Sequence, residues 1–91
     1  MLEALWDPRL EAIVRANCPH LDDDTAIMPD DFLADLGLDS LSIVAIVVEV
    51  EEMFEFAFPD DELSFQTFAT MGSLWGAVSR LIDSRQEQQL Y

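Results

Sequence analysis

One segment, residues 41–55, constrains the fold more than any other, because two signals conflict inside it. Ile43, Val44, Ile46, Val47, Val48 and Val50 are β-branched and on propensity alone favour a strand. Their spacing favours a helix: Ile43, Ile46, Val47, Val50 and Phe54 share one face at about 100° per residue. Strict alternation is missing, and Glu49, Glu51, Glu52 and Glu55 suit a helix surface. The spacing therefore predicts a helix, with Gly37 breaking the chain ahead of it and Asp39 or Ser40 capping its start. The same helix carries a second apolar stripe, Leu41, Val44 and Val48, about 130° round from the first, and Glu52 and Glu55 continue its side. A small domain needs one apolar face per helix. The second is either covered by loops of the same chain or is a docking strip, apolar near Ser40 and acidic farther on.

The remaining elements follow from punctuation and period. Asp7-Pro8 opens a first helix, with Trp6, Leu10, Ile13 and Val14 at helical spacing and an end near Asn17, before Pro19. A long polar connection follows, rich in aspartate and anchored by Ile27. Phe32, Leu33 and Leu36 form a short helical turn or packed loop ending at Gly37. Phe58-Pro59 closes the central helix. Asp60-Asp61-Glu62, then Leu63, Phe65 and Phe68, fit a short acidic-start helix or compact loop. Thr70 caps the last helix, in which Met71, Leu74, Trp75, Val78, Leu81 and Ile82 keep the apolar period. Gly72 and Gly76 weaken that helix by roughly 1 kcal/mol each relative to Ala unless close packing needs them. The expected architecture is all-α, a small four-helix bundle of three principal helices plus a short third helix. It is one domain over residues 1–91, with an ordered core near 6–82, a loose lead-in over 1–5 and a flexible polar tail over 84–91.

Charge limits the partners. Nineteen acids face four bases, all arginine, for a formal net charge of −15. Nucleic acid and anionic membrane surfaces are excluded, since both demand clustered cations. A basic patch on another protein is the natural complement. Cys18 is the only cysteine, so neither an internal disulfide nor a cysteine-built zinc site is available. The start Met1-Leu2-Glu3 lacks the basic opening of a signal peptide, and no apolar run is long enough to span a bilayer. A soluble, cytoplasmic monomer is the expectation.

Ser40 is the candidate for chemistry. His20 is the only histidine, and nothing near it in sequence completes a triad, so a nucleophilic enzyme lacks its base. A hydroxyl modified by another enzyme needs none. A helix N-terminus also suits an attached phosphodiester, whose charge meets free amides and the positive end of the dipole. The plain alternative is that Ser40 is an N-cap and nothing else. A calcium loop starting at Asp22 would need Gly at Ile27 and Glu at Leu33, so that pattern fails. Cys18 and His20 have no further ligands near them, and Trp6 and Trp75 read as core contacts.

Leu36-Gly37-Leu38-Asp39-Ser40-Leu41, with Phe32 upstream and Glu51-Glu52-Met53-Phe54 downstream, resembles an acyl carrier protein. Phe58-Pro59-Asp60-Asp61 is similar to that family's turn after the second helix, and Thr70-Met71 to the start of its last helix. The resemblance spans roughly residues 6–82 and implies a four-helix bundle without catalytic residues of its own. It implies 4'-phosphopantetheine joined covalently to Ser40 by a phosphopantetheinyl transferase using coenzyme A, with Asp39 helping to present Ser40. The arm's thiol would hold acyl groups as thioesters. An acyltransferase or acyl-loading ligase, and a ketosynthase or other pathway enzyme, would then meet Leu41, Val44, Val48, Glu52 and Glu55.

The chain departs from the family pattern at Ser42 and Ala45, which stand where carriers of fatty acid synthesis are often acidic. The stretch 59–70 also looks slightly longer than usual. Both point to a free-standing carrier of a polyketide or related specialised pathway. Leu38-Asp39 ahead of the serine fits an acyl carrier better than a peptidyl or aminoacyl carrier of a nonribosomal-type pathway, which is the alternative. An unmodified helical interaction module and a small hydrolase using Ser40 are readings from other classes.

Overall fold

The computed structural model describes residues 6–22 and 24–88. The expected lead-in over residues 1–5 and the end of the tail, residues 89–91, lie outside these, as does Asp23. Three α-helices run in the order α1 (Pro8–Ala16), α2 (Ser40–Phe54) and α3 (Met71–Gln88). A 3-10 turn at Leu33–Leu36 precedes α2, and a second at Asp60–Glu62 follows it. Among the described residues there is no strand, only a single bridge between Phe32 and Thr70.

The period wins over propensity in α2. Ile46, Val50 and Phe54 are buried, and Ile43 and Val47 pack against them from the side. They meet Leu10, Ile13 and Val14 of α1 and Met71, Leu74 and Val78 of α3 in one core. Cys18 and Ile27 are buried at its margin, and Trp75 is packed against it.

The ends of the helices are fixed as their residue types dictate. The Asp7 carboxylate accepts the Arg9 amide at 2.8 Å, with Pro8 at the first helical position. Thr70 and Ser73 cap α3 reciprocally: the Ser73 amide donates to Thr70 Oγ1 at 3.0 Å and the Thr70 amide to Ser73 Oγ at 3.1 Å. Gly37 ends the first 3-10 turn at φ 101°, the left-handed region that glycine alone enters without strain. Glu55 ends α2 in the same region, at φ 59°.

The stretch expected as a short acidic-start helix or compact loop is a 3-10 turn of three residues, followed by irregular turns to Thr70. Pro59 and the acids suit a helix start, but Leu63, Phe65 and Phe68 do not repeat at helical spacing, so no apolar face carries the turn on. The last helix continues past Ser84, where the polar tail was expected to begin, to Gln88.

The long acidic connection is held by one arginine. Arg15 donates to the carbonyls of Asp22 at 3.2 Å and Thr25 at 2.6 Å. Its Nε donates to Glu11 at 2.9 Å, and Glu11 also accepts the Trp6 indole N–H at 2.9 Å. Farther on, the connection lies against the start of α3: the Leu33 amide donates to the Ala69 carbonyl and the Gly72 amide to that of Pro29. These contacts, with buried Leu33 and Leu38, set the direction in which the chain enters α2.

Candidate functional site

Asp39 is the N-cap of α2, and Ser40 is the first residue inside it. The Asp39 carboxylate accepts the Ser42 amide at 2.8 Å. That bond holds the Asp39 carboxyl below the usual aspartate range, chiefly through the Ser42 backbone amide. Ser40 is exposed, and its hydroxyl makes no hydrogen bond among the described residues. The alternative left open by the sequence, that Ser40 serves as a cap and nothing else, is therefore resolved against it. The neighbouring carboxylate does the capping and leaves the hydroxyl uncommitted.

Ser40 opens onto an apolar groove of about 490 Å³. One wall is α2, through Ile43, Val44, Val47 and Val48; the other is the loop after α2, through Leu63, Phe65 and Phe68. Ser40 and Ser64 are its only polar residues, and no charged group lines it.

The second apolar stripe of α2 stays uncovered: Leu41 is 81 % exposed, Val44 61 % and Val48 48 %. Val44 and Val48 share the groove with Ser40; Leu41 does not line it. Glu52 and Glu55 are exposed at the far end of α2, and Glu52 lies roughly 18 Å along the axis from Ser40 at 1.5 Å per residue. The structure thus brings Ser40, Val44 and Val48 together and sets the acids apart as a separate end of the same surface.

Reading the sequence missed the opposite wall. Phe65 is 93 % exposed, an unusual state for an aromatic ring, and Leu63 is also exposed. The sequence groups both with Phe68 in a short acidic-start helix or compact loop. Only Phe68 is buried, within a chain of ring contacts running from Phe54 through Phe56 and Phe58. The available signal was the spacing: Leu63 and Phe65, two apart, fall about 200° from each other on a helix and cannot share its face.

Among the described residues no cluster of histidine, cysteine or carboxylate side chains could hold a metal ion. No described helix is long and apolar enough to cross a membrane. The only histidine, His20, is exposed in the turn after α1, and Ser40 has no base hydrogen-bonded to it. A lone exposed hydroxyl at a helix start, beside an apolar groove, is suited to bearing a group rather than to attacking one.

Comparison with known proteins agrees with that class. The family described as the phosphopantetheine attachment site matches residues 9–76. An acyl carrier protein of Sulfurovum sp. (strain NBC37-1) is 35% identical over 69 residues, 76% of this chain and 87% of that protein. An acyl carrier protein of Clostridium perfringens (strain 13 / Type A) is 35% identical over 54 residues, 59% of this chain and 68% of that one. In a crystal structure of Bradyrhizobium japonicum glycine:[carrier protein] ligase complexed with glycylated carrier protein, one chain superposes with a TM-score of 0.61 at 25% identity, covering 78% of this chain and 99% of that chain. The chain belongs to the acyl carrier protein family. It is a non-catalytic carrier, and its prosthetic group is phosphopantetheine. The residues present fit that group: an uncommitted, exposed hydroxyl at the start of a helix and an apolar groove meet at one point.

Proposed function

We propose that this protein carries acyl intermediates as thioesters in a polyketide or other specialised pathway, on a phosphopantetheine arm joined to Ser40. The observation that carries the reading is the free Ser40 hydroxyl at the first position of α2, with Asp39 taking the capping role. A phosphopantetheinyl transferase takes the Ser40 proton, and Ser40 Oγ bonds to the pantetheine-bearing phosphorus of coenzyme A, so that the pyrophosphate bond breaks and adenosine 3',5'-bisphosphate leaves. The arm, once attached, supplies the thiol on which acyl groups are held. The amides at the start of α2 favour the phosphodiester charge there. Asp39, tied to Ser42, keeps the helix start in the form the transferase meets.

The specialised pathway rests on the exposed face of α2. Ser42 and Ala45 leave it uncharged beside Ser40, while Leu41, Val44 and Val48 make it apolar. Partner enzymes, among them an acyl-loading ligase or acyltransferase and a ketosynthase, would dock an apolar patch on these three. Basic groups of theirs would meet Glu52 and Glu55. A second reading takes its support from the glycylated carrier in the crystal structure above: the cargo is an amino acid loaded by an ATP-dependent ligase.

Incubation with coenzyme A and a broad-specificity transferase, followed by intact-mass measurement, tests the attachment. The native chain should gain one phosphopantetheine and Ser40→Ala none. Equal gain by both, or none by either, overturns the assignment. In the latter case a helical interaction module that is never modified becomes the better account. Mass analysis of the cargo on protein purified from its native cell separates the acyl from the aminoacyl reading.

A further inference from the structure

Two large apolar side chains stand in water on the connection before α2, Met28 at 54 % exposure and Phe32 at 56 %. One exposed apolar group is ordinary on any surface. These two flank a single turn, and the turn is fixed. The Asp31 amide donates to the Met28 carbonyl at 3.1 Å, and the Met28 amide to the Asp31 carboxylate at 2.8 Å. Pro29 stiffens the turn further. It is also fastened to the start of α3: the Gly72 amide donates to the Pro29 carbonyl at 3.0 Å and the Met71 amide to the Asp31 carbonyl at 3.3 Å. Both are amides that a helix start leaves without partners inside the helix. On the other side the Leu33 amide donates to the Ala69 carbonyl at 2.9 Å. An irregular segment held in this way presents its side chains with little freedom left to lose on binding.

The charge around the pair has one sign. Asp24, Asp30 and Asp35 are exposed near it in the chain, and no lysine or arginine occurs between Arg15 and Arg80. A second copy of this chain, also at −15, is repelled. The complementary surface is an apolar hollow with Arg or Lys at its rim.

The pair is also close to Ser40. The Leu38 amide donates to the Leu33 carbonyl at 3.3 Å and folds the chain back between them. Phe32 adjoins Leu33 and Ser40 is two residues past Leu38, so their Cα atoms are no more than roughly 18 Å apart. A standard interface covers about 800 Å² of one partner, a patch about 30 Å across, and spans both. An enzyme that works on the cargo acts at the thiol, an arm's length from Ser40. A transferase forms its bond at Ser40 Oγ itself, so its surface closes round that residue on every side.

We infer that Met28 and Phe32 are docking contacts for the phosphopantetheinyl transferase. They enter an apolar hollow on that enzyme, and basic side chains at its rim meet Asp30 and Asp35. Leu41 and Val44 follow Ser40 on α2, whereas Phe32 precedes it on a fixed turn. Contacts from both set the angle at which Ser40 Oγ enters the transferase site, which makes Phe32 a positioning residue. The inference rests on the carrier reading above.

The test uses the full unmodified chain, coenzyme A and a broad-specificity transferase, with kcat and KM read by intact mass over a range of carrier concentrations. Phe32→Ser should raise KM about five- to tenfold and leave kcat close to native, since a contact made equally before and during reaction affects binding alone. Met28→Ser should act in the same direction, and Phe32→Leu should recover most of the loss. Asp30→Asn combined with Asp35→Asn should raise KM at low salt only, whereas the loss in Phe32→Ser should persist at high salt. Thermal melts of these variants should match the native chain, because the side chains stand outside the core. An unchanged KM in both Phe32→Ser and Met28→Ser, with the native chain modified normally, overturns the inference and leaves attachment at Ser40 standing. A native chain that takes no phosphopantetheine removes both. A fall in kcat or in melting temperature that accounts for the loss assigns the pair to folding and overturns the inference. So does a native dimer that Phe32→Ser dissociates, which puts a second copy on the patch. Should Phe32→Ser fail to fold, Met28→Ser and the salt series on the aspartate variant decide it.

Discussion

The Asp39 carboxylate accepts the Ser42 amide at 2.8 Å, and that bond separates two roles that a sequence leaves merged. With Asp39 capping α2, the Ser40 side chain is free of structural duty. Removing the carboxylate should therefore impair modification in a way that removing the hydroxyl does not mimic. Asp39→Ala should lower the melting temperature and slow transfer of phosphopantetheine, whereas Ser40→Ala should abolish transfer and leave the melting temperature close to native. Thermal melts and a time course by intact mass check both.

The same bond makes a pH prediction. The Asp39 carboxyl titrates below its ordinary range in the folded chain because its ionised form accepts the Ser42 amide. A depressed folded-state value means the contribution is fully present above the ordinary aspartate range and is lost as pH falls through the lowered one. The melting temperature of the native chain minus that of Asp39→Asn should be constant from neutrality down to the ordinary aspartate range, then shrink below it. Asn can still accept from Ser42 but does not ionise in this range, so the difference reports the charge alone. A difference that stays flat through the acid limb would show that the capping charge adds nothing.

Gly72 and Gly76 look alike in the sequence and should behave oppositely when replaced. A Cβ on Gly72 would lie 3.0 Å from the Pro29 carbonyl oxygen, the same atom its amide donates to at 3.0 Å. That contact is backbone on both sides and has little room to relax, so Gly72→Ala should cost about 1–3 kcal/mol. A Cβ on Gly76 meets only the end of the Arg80 side chain, at 3.7 Å. Gly76→Ala should gain up to about 1 kcal/mol from helix propensity. Urea unfolding of the two variants beside the native chain measures both signs.

How far the sequence could be read follows from where the signals are local. Caps and breaks are local: Asp7-Pro8, Gly37, Asp39 and Thr70 each fix an end by their own chemistry, and each stands at the end it predicts. The α2 segment was legible because its period, unlike its β-branched composition, reports which side meets the core. The exposed stripe of Leu41, Val44 and Val48 was legible for the same reason. The opposite wall of the groove was not. Whether Leu63, Phe65 and Phe68 share a face depends on a three-residue 3-10 turn and irregular turns after it, which impose no period. The difference between Gly72 and Gly76 was equally hidden, since it depends on a loop some forty residues away in the chain reaching one of them.

Arg15 offers a test of how the acidic connection is held. Its guanidinium donates to two loop carbonyls, those of Asp22 and Thr25, while its Nε reaches Glu11. A planar fork can do this; an ammonium on a flexible stem cannot reach all three in the same way. Arg15→Ala should lose about 1 kcal/mol and raise amide exchange around residues 22–25, and Arg15→Lys should restore little of either. Hydrogen exchange read residue by residue decides it. Full recovery by lysine would mean that charge, not the fork, holds the loop.

The two ends of the α2 surface should affect different steps of partner binding. Glu52 lies in water roughly 18 Å along the helix from Ser40, so its charge acts at a distance and mainly before contact. Reversal at Glu52 and Glu55 together should lower the association rate with a basic partner enzyme by about tenfold or more at low salt, with the loss shrinking as salt rises. The dissociation rate should change much less. Leu41, 81 % exposed and outside the groove, can matter only through direct contact. Leu41→Ala should therefore leave folding and association nearly unchanged and speed dissociation, by an amount equivalent to about 1–2 kcal/mol if its side chain enters a partner pocket. Stopped-flow kinetics of the holo protein with its loading enzyme, across a salt series, separates the two effects. Equal salt dependence in the native and charge-reversed chains would remove Glu52 and Glu55 from the recognition surface, and an unchanged dissociation rate for Leu41→Ala would remove Leu41.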